Sequence, residues 1–420
     1  MPEWRRSRRD VNPERALAVR PPRHTKPGRI AMPVINRIAE FHDDMTQWRH
    51  HLHANPELSY QEQETARFVA EKLRSYGIEV TEGVGGTGVV GVLYGSRKGA
   101  RSIGLRADMD ALAIEERNDF AHRSMNKGVM HACGHDGHTT MLLGAARYLA
   151  ETRNFEGRVV FIFQPAEEMG GEDGGAARMI REGLFQSFGC DEIYGLHNWP
   201  GMDVGTFAVK AGPMMASGDA FEIEVMSTGM HAAQPQKGVD VVMTAGHILV
   251  GLQQISARNT DPLDAIVVSA TQIHGGDAYN VLPNNVTIRG TVRAFSPEAR
   301  AAAEPAIRRI VEGIGFSTGA QCKVSYVQQY PTLINSQSAA RSAEAAGSSV
   351  FNRIETNPPQ TMIVEDFAFM LQDRPGCYGW IGNGPDDNGR ILHSAWFDFN
   401  DEVLPYGASY FASLAEARQN

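Results

Sequence analysis

Apolar positions recur along this chain with two periods, and the switches between them lay out its elements. Helical spacing of about 3.6 residues runs over 35–58 and 62–76. Short β-rich runs follow at 78–80, 89–94 and 102–107, then a helix at 139–151 and apolar strands at 158–163 and 192–197. Uninterrupted apolar strands alternating with helices predict an α/β fold built on a doubly wound, mostly parallel sheet. After Gly212-Pro213 the order changes to strand 220–226, helix 239–258, strands 265–273 and 286–295, helix 297–313 and strand 321–327. That βαββαβ order predicts an inserted ferredoxin-like α+β domain over 213–327. The α/β pattern then resumes with helices at 338–351 and 366–371, a strand at 377–381, a Gly/Asp/Asn loop at 383–389 and a closing helix at 404–417. Residues 32–212 and 328–420 therefore read as one domain interrupted by another.

Composition narrows the class. A chain of 420 residues with a net charge of −9 is long enough for two domains and poorly suited to nucleic acid as its main partner. Residues 1–31 differ: nine Arg/Lys against three acids give a local +6, leaving −15 for the rest. This stretch is Pro/Arg-rich without an apolar core, so it reads as a disordered basic tail rather than a secretory signal. A transit-like tail, a nucleic-acid arm and sequence upstream of a start at Met32 are the other readings. No uncharged apolar run is long enough to span a bilayer. The four cysteines (Cys133, Cys190, Cys322 and Cys377) lie far apart, which argues against a disulfide framework and for a reducing, cytoplasmic setting.

Candidate chemistry concentrates where the predicted strands end. Cys133-Gly134-His135 puts a thiol and an imidazole one residue apart, a pairing suited to a borderline-soft divalent metal if the segment is extended or turning. Asp108 and Asp110 follow one strand, Glu167 and Glu168 another, and His197 ends a third; His393 follows the Gly-rich loop. Ligand sites in α/β sheets form beyond the carboxyl ends of the strands. Five candidate ligands (Cys133, His135, Glu168, His197 and His393) exceed the need of one tetrahedral ion and suit two ions sharing a bridge, with Glu167 left as a general base. The histidines at 50, 51 and 53 read instead as an ordinary polar helix face.

The segments WRHHLHANPELSYQE, GLRADMDAL, MHACGHDGHTTMLLGAA, VVFIFQPAEE, YGLHNWP, STGMHAAQPQKGVD, IHGGDAYNVLPN, GTVRAF, EDFAFML and LHSAWFDFND, in this order, resemble the aminoacylase/carboxypeptidase family of co-catalytic metallohydrolases. Within it the chain is similar to the branch of hippurate hydrolases, N-acyl-amino-acid amidohydrolases and auxin-conjugate hydrolases. The resemblance runs from about Met32 to near the end. It implies two divalent metals per subunit, with Cys133 in the place of a bridging carboxylate, His135 and His197 on one ion, and Glu168 and His393 on the other. It further implies Glu167 as general base and Asp110 as a residue orienting a metal-bound imidazole. The inserted domain becomes a lid and dimerisation domain. His231 would reach across the interface of a homodimer (or tetramer) to polarise the scissile carbonyl, while Asn280 and Arg293 would hold the substrate carboxylate.

The implied activity is hydrolysis of N-acyl or N-aroyl amino acids such as hippurate or N-acetyl amino acids. Cysteine with imidazole favours zinc, with manganese, cobalt and nickel as alternatives. The chain departs from the branch at Ser227-Thr228-Gly229-Met230, Ile363-Val364 and Ser394-Ala395, positions that bear on substrate preference rather than reaction class. Two rival readings are a metal-free cysteine hydrolase using Cys133 and a non-catalytic binding protein on the same scaffold. The first leaves Glu168, His197 and His393 unexplained; the second expects a missing ligand or base.

Overall fold

Four strands that are buried along most of their length form the centre of the molecule. The computed structural model describes residues 34–417; the basic segment 1–31 lies outside the described residues. Helices α1 (Asn36–Ala39), α2 (His42–Ala54) and α3 (Gln63–Ser75) lead into β1 (Glu79–Val84), β2 (Gly88–Tyr94) and β3 (Arg97–Asp108). Next come α4 (His135–Thr152), β4 (Glu156–Gln164), α5 (Gly175–Arg181), α6 (Leu184–Phe188), β5 (Glu192–Trp199), β6 (Thr206–Ala208) and β7 (Gly212–Met215). The sheet they build has the order β1-β2-β4-β3-β5-β16-β6-β15, where β15 is Arg353–Glu355 and β16 is Gly376–Gly382. Its centre, β4-β3-β5-β16, is parallel, while β1-β2, β2-β4 and β16-β6 pair antiparallel. The sheet is therefore mixed and mostly parallel. The expected parallel pattern holds for the four central strands and for the edge pair β15-β6. Among the antiparallel pairs only β1-β2 is joined by a short hairpin connection, whereas β2-β4 and β16-β6 join segments distant in sequence.

Helices cover both faces. Leu142 and Leu143 of α4 pack with Phe411 and Leu414 of α11 (Leu404–Glu416) and Met45 of α2 on one side. Met179, Leu184, Phe185 and Phe367, the last from α10 (Phe367–Asp373), cover the other. Truncating a wholly buried leucine such as Leu142 to alanine removes about 2–5 kcal/mol of stability. No helix among the described residues is long and apolar enough to cross a membrane.

Between β7 and β14 (Leu333–Asn335), which pair with each other, the chain builds a second sheet. Its strands are β8 (Ser217–Met226), β10 (Ile266–His274), β12 (Asn285–Ala294) and β13 (Gln321–Tyr330), in the order β10-β12-β8-β13 and antiparallel throughout. Helices α7 (Val241–Leu252) and α8 (Pro297–Thr318) close one face, with Ile248 and Ile307 packed against Phe221, Ile223 and Ile288. A small ribbon of β9 (Met230–His231) and β11 (Val281–Leu282) extends from it. Helix α9 (Gln337–Ser348) then returns the chain to the large sheet.

Several element boundaries differ from the sequence reading, such as β3, which starts at Arg97 rather than Ser102, and α8, which runs to Thr318 rather than Gly313; three differences bear on the architecture or the site. The helix expected over 35–58 breaks at Glu40-Phe41, because Asp43 and Asp44 open a new first turn. The helix expected to end at 258 stops at Leu252 and continues as a π-turn over Ile255–Asn259. Helix α4 starts at His135 rather than Thr139: His135, Asp136 and His138 are polar residues of modest helix propensity, but each is buried and partnered.

Candidate active site

The parallel strands deliver their carboxyl ends to one edge of the sheet. Asp108 pairs with Gln164 across β3-β4, and Trp380 with His197 across β16-β5, so the loops after β3, β4 and β5 open at one level. There Cys133, His135 and His197 bring one donor atom each within 4.8 Å of one another, and Cys133, Glu168 and His393 do the same. Cys133 belongs to both groups. Its Sγ lies 3.4 Å from His197 Nε2, and His393 Nε2 lies 3.3 Å from Glu168 Oε1. All five candidate ligands read from the sequence converge at this edge of the sheet.

Of the extended and turning geometries that the spacing of Cys133 and His135 allows, the structure shows the turn. Gly134 adopts φ +99°, and a Cβ there would stand 2.1 Å from Asn198 Oδ1, so only glycine fits. A left-handed residue immediately before a helix, rather than a β pleat, turns the two side chains to one side.

The surrounding residues fix the ligands. His135 Nδ1 donates to the Asp110 carbonyl oxygen at 2.8 Å, and His197 Nδ1 donates to the Asn198 carbonyl oxygen at 2.6 Å. Both rings thus present Nε2 to the pocket. His135 Nε2 and Glu168 Oε1 are buried and have no hydrogen-bond partner among the described residues. Orphaned donor atoms on converging side chains fit a pair of divalent cations. His138 also lies beside His135, but Asp108 Oδ1 and Asn198 Oδ1, each 2.6 Å from a ring nitrogen, occupy it.

Asp110 does more than orient an imidazole. Its carboxylate accepts the backbone N–H groups of Glu167 and Glu168, both at 3.0 Å, and the Ser59 hydroxyl at 2.7 Å. Glu167 and Glu168 share one neighbour and differ in the others. Each places an oxygen near His135, yet Glu167 also gathers with Glu365 and Asp366, whereas Glu168 meets His393.

Asp108, Asp110, Glu167, Glu168, Glu365 and Asp366 line this region, and among the described residues Arg106 is the only arginine paired with them: its guanidinium lies 2.6 Å from Asp108 and 3.0 Å from both Glu365 and Asp366. Burial together with the charges of Glu365 and Glu168 pushes the Glu167 carboxyl well above the usual carboxylate range. Burial alone would lower His135, but Asp108 and Asp110 push it up to about 10. Burial and the nearby His138 hold His197 well below the usual imidazole range, in the neutral form a ligand needs. Burial, Glu168 and Glu167 raise the Cys133 thiol. The pocket is one of strongly negative potential, which cations relieve.

Of the inserted-domain residues read from the sequence, His231 and Asn280 lie together, Arg293 lies apart from them, and none belongs to either donor cluster. His231 pairs with Val281 across β9-β11, and the Ala232 N–H donates to the Asn280 carbonyl oxygen at 2.9 Å, so His231 and Asn280 share an exposed tip. Arg293 lies on β12, half-buried. Burial lowers its proton affinity, its hydrogen bonds go to Thr291 and the Val292 carbonyl oxygen, and among the described residues it has no carboxylate partner.

The sequence reading did not single out Glu62, Arg106, His138 or Asn198. Arg106 carried a signal, since an arginine inside the apolar run Gly104-Leu105-Arg106-Ala107 must find buried partners. The others carried none, because their partners are remote in sequence.

Comparison with known proteins agrees with this geometry. The model of the peptidase family M20/M25/M40 matches residues 104–417. The hippurate hydrolase of Campylobacter jejuni is 40% identical over 388 residues, covering 91% of this chain and 99% of its own length. The N-acyl-L-amino acid amidohydrolase of Geobacillus stearothermophilus is 42% identical over 299 residues, covering 71% and 80%. The crystal structure of the Bacillus subtilis YXEP protein, described as a dinuclear metal-binding peptidase of the M20 family, superposes with a TM-score of 0.78 at 34% identity, covering 90% of this chain and 98% of that one. With two candidate donor clusters that share Cys133 and a family match over most of its length, the chain belongs to peptidase family M20/M25/M40.

Proposed function

We propose that this protein is a homodimeric, two-metal amidohydrolase that cleaves N-acyl or N-aroyl amino acids into a carboxylic acid and a free amino acid. The observation that carries the reading is the pair of ligand triads sharing Cys133 beside the buried carboxyl of Glu167. Cys133, His135 and His197 would hold one ion and Cys133, Glu168 and His393 the other. Thiolate with imidazole favours zinc; manganese, cobalt and nickel accept the same donors. The ions supply Lewis-acid polarisation of water and of the scissile carbonyl.

The chain's own groups do the rest. Glu167 takes the proton of the attacking water and returns it to the leaving amine; its raised proton affinity suits both directions. The Asp366 N–H, 3.4 Å from Glu167 Oε1, and the Asp110 carboxylate beneath the turn orient it. His231 donates to the developing oxyanion, and Arg293 with Asn280 holds the substrate carboxylate; the guanidinium without a carboxylate partner supports that role.

Residues 213–327 form the ferredoxin-like lid and dimerisation domain in this reading, supported by the strand order and the two helices on one face. A second copy is supported by apolar exposure on the edge strand β10 and on α7, where Val267, Ile273, Met243 and Val250 face outward. We place the enzyme in the cytoplasm, on the strength of four free cysteines, three of them buried.

Glu167→Ala tests the mechanism. Turnover of hippurate and N-acetyl amino acids is expected to fall by roughly 10²–10⁴-fold with metal content unchanged. Near-wild-type activity in that variant would refute the base assignment. Full activity after exhaustive chelation would instead favour Cys133 as a nucleophile.

A further inference from the structure

Ala166 joins the buried strand β4 to Glu167 in the left-handed region, with φ +49°. A Cβ makes that conformation unfavourable by roughly 1–2 kcal/mol. Only four non-glycine residues among those described have positive φ, and two of them, Ala166 and His393, belong to this site. Strain of this kind persists where the surroundings over-determine it.

The surroundings here are two buried carboxyls. The Ala166 N–H donates to Glu62 Oε1 at 2.8 Å, and the Thr87 hydroxyl donates to Glu62 Oε2 at 2.6 Å. The next two N–H groups, of Glu167 and Glu168, end on Asp110. Three successive backbone donors of one turn are thus held, the first by a residue that is 0% exposed and 104 positions away in sequence.

We propose that Glu62 is a positioning residue for the reaction: by accepting the Ala166 N–H it holds the left-handed turn that aims Glu167. The inference rests on the reading of Glu167 as the base. Glu62 has no cationic partner among the described residues and accepts only the Ala166 N–H and the Thr87 hydroxyl, so its task is one of shape: a glutamine keeps the acceptor for Ala166 and can donate to the Thr87 oxygen.

The test is a set of substitutions read by kcat, KM and metal content. Glu62→Gln is expected to keep kcat within about twofold. Glu62→Leu removes the acceptor, and kcat is expected to fall on the order of ten- to a hundredfold, the size of effect that small misplacements of reacting groups produce, with KM and two bound metals retained. Ala166→Gly, free of the Cβ cost, is expected to restore at least about threefold when added to Glu62→Leu. A residue that only stabilises the fold would not give that rescue. If Glu62→Leu fails to fold, Glu62→Asp retracts the acceptor by one methylene and is read in the same way, alone and with Ala166→Gly.

The proposal is overturned if Glu62→Gln loses as much kcat as Glu62→Leu, if metal is lost in step with activity, or if Ala166→Gly rescues neither variant. Glu167→Ala run alongside separates the two readings. Activity in that variant removes the base, whereas an inactive Glu167→Ala beside unaffected Glu62 variants removes only the role of Glu62.

Discussion

Cys133 is the residue that both proposed ligand triads share, and its chemistry is testable apart from turnover. Burial and the carboxylates of Glu168 and Glu167 favour its neutral thiol, so it becomes a thiolate only beside cations. Cys133→Ala should reduce the bound metal from about two ions to one or fewer, because each ion loses a donor to a pocket that cannot replace it. Cys133→Asp should keep both, since a carboxylate also bridges, and should resist peroxide, which converts an accessible thiolate to oxygenated forms that no longer bridge. Metal analysis before and after peroxide treatment checks this. Equal metal content in the alanine variant would remove Cys133 from the site.

At the scale of elements, the start of α4 sets the ligand geometry. Gly134→Ala forces a Cβ into the left-handed region and onto the Asn198 side chain, so both stability and metal binding should fall. Gly77→Ala, also at positive φ but with nothing within 4 Å of the added carbon, is the control and should cost about 1 kcal/mol without metal loss. The other side of α4 is tied to α2 by His53, which sits 2.8 Å from Asp136 and 3.2 Å from Glu116. Burial alone would lower its proton affinity, but the two carboxylates push it up to about 9 from an ordinary 6.5. A raised pKa stabilises the fold fully below about pH 6.5, and that stabilisation is lost as the pH rises through 9, on the order of 3 kcal/mol at most. The depressed Asp136 reports the same pair and adds nothing further. Thermal melts should show a fall in Tm between pH 6.5 and 9 that shrinks in His53→Gln; parallel curves would mean that His53 is uncharged. These elements also show what sequence carries. Apolar runs such as 158–163 announced the strands, and acids and histidines just beyond them announced the ligands, because period and strand-end position are local. The reversal at Gly134, the clasp of Glu62 on Ala166 and the antiparallel edges depend on contacts between distant segments, which no local pattern encodes.

For the whole molecule, the proposed reading makes the site incomplete within one chain. The metal-type donors converge at the edge of the large sheet, whereas His231 and Asn280 sit exposed at the tip of the inserted sheet and lie in neither ligand triad. The insert is an antiparallel sheet whose edge strand β10 carries outward-facing Val267 and Ile273, a surface that a second copy would cover in the proposed dimer by extending the sheet. Two-fold symmetry would place each tip at the partner's pocket, so every active site would draw Glu167 from one subunit and His231 from the other. Complementation decides the matter. Glu167→Ala and His231→Ala homodimers should each be nearly inactive. Mixed after dissociation and reassembly, about half of the dimers are hybrids in which one site joins an intact Glu167 to an intact His231. Activity should therefore recover to roughly a quarter of wild type, because only one of two sites is complete in each hybrid. A mixture no more active than its parents, with hybrid formation shown by mass, would place His231 at the site of its own chain.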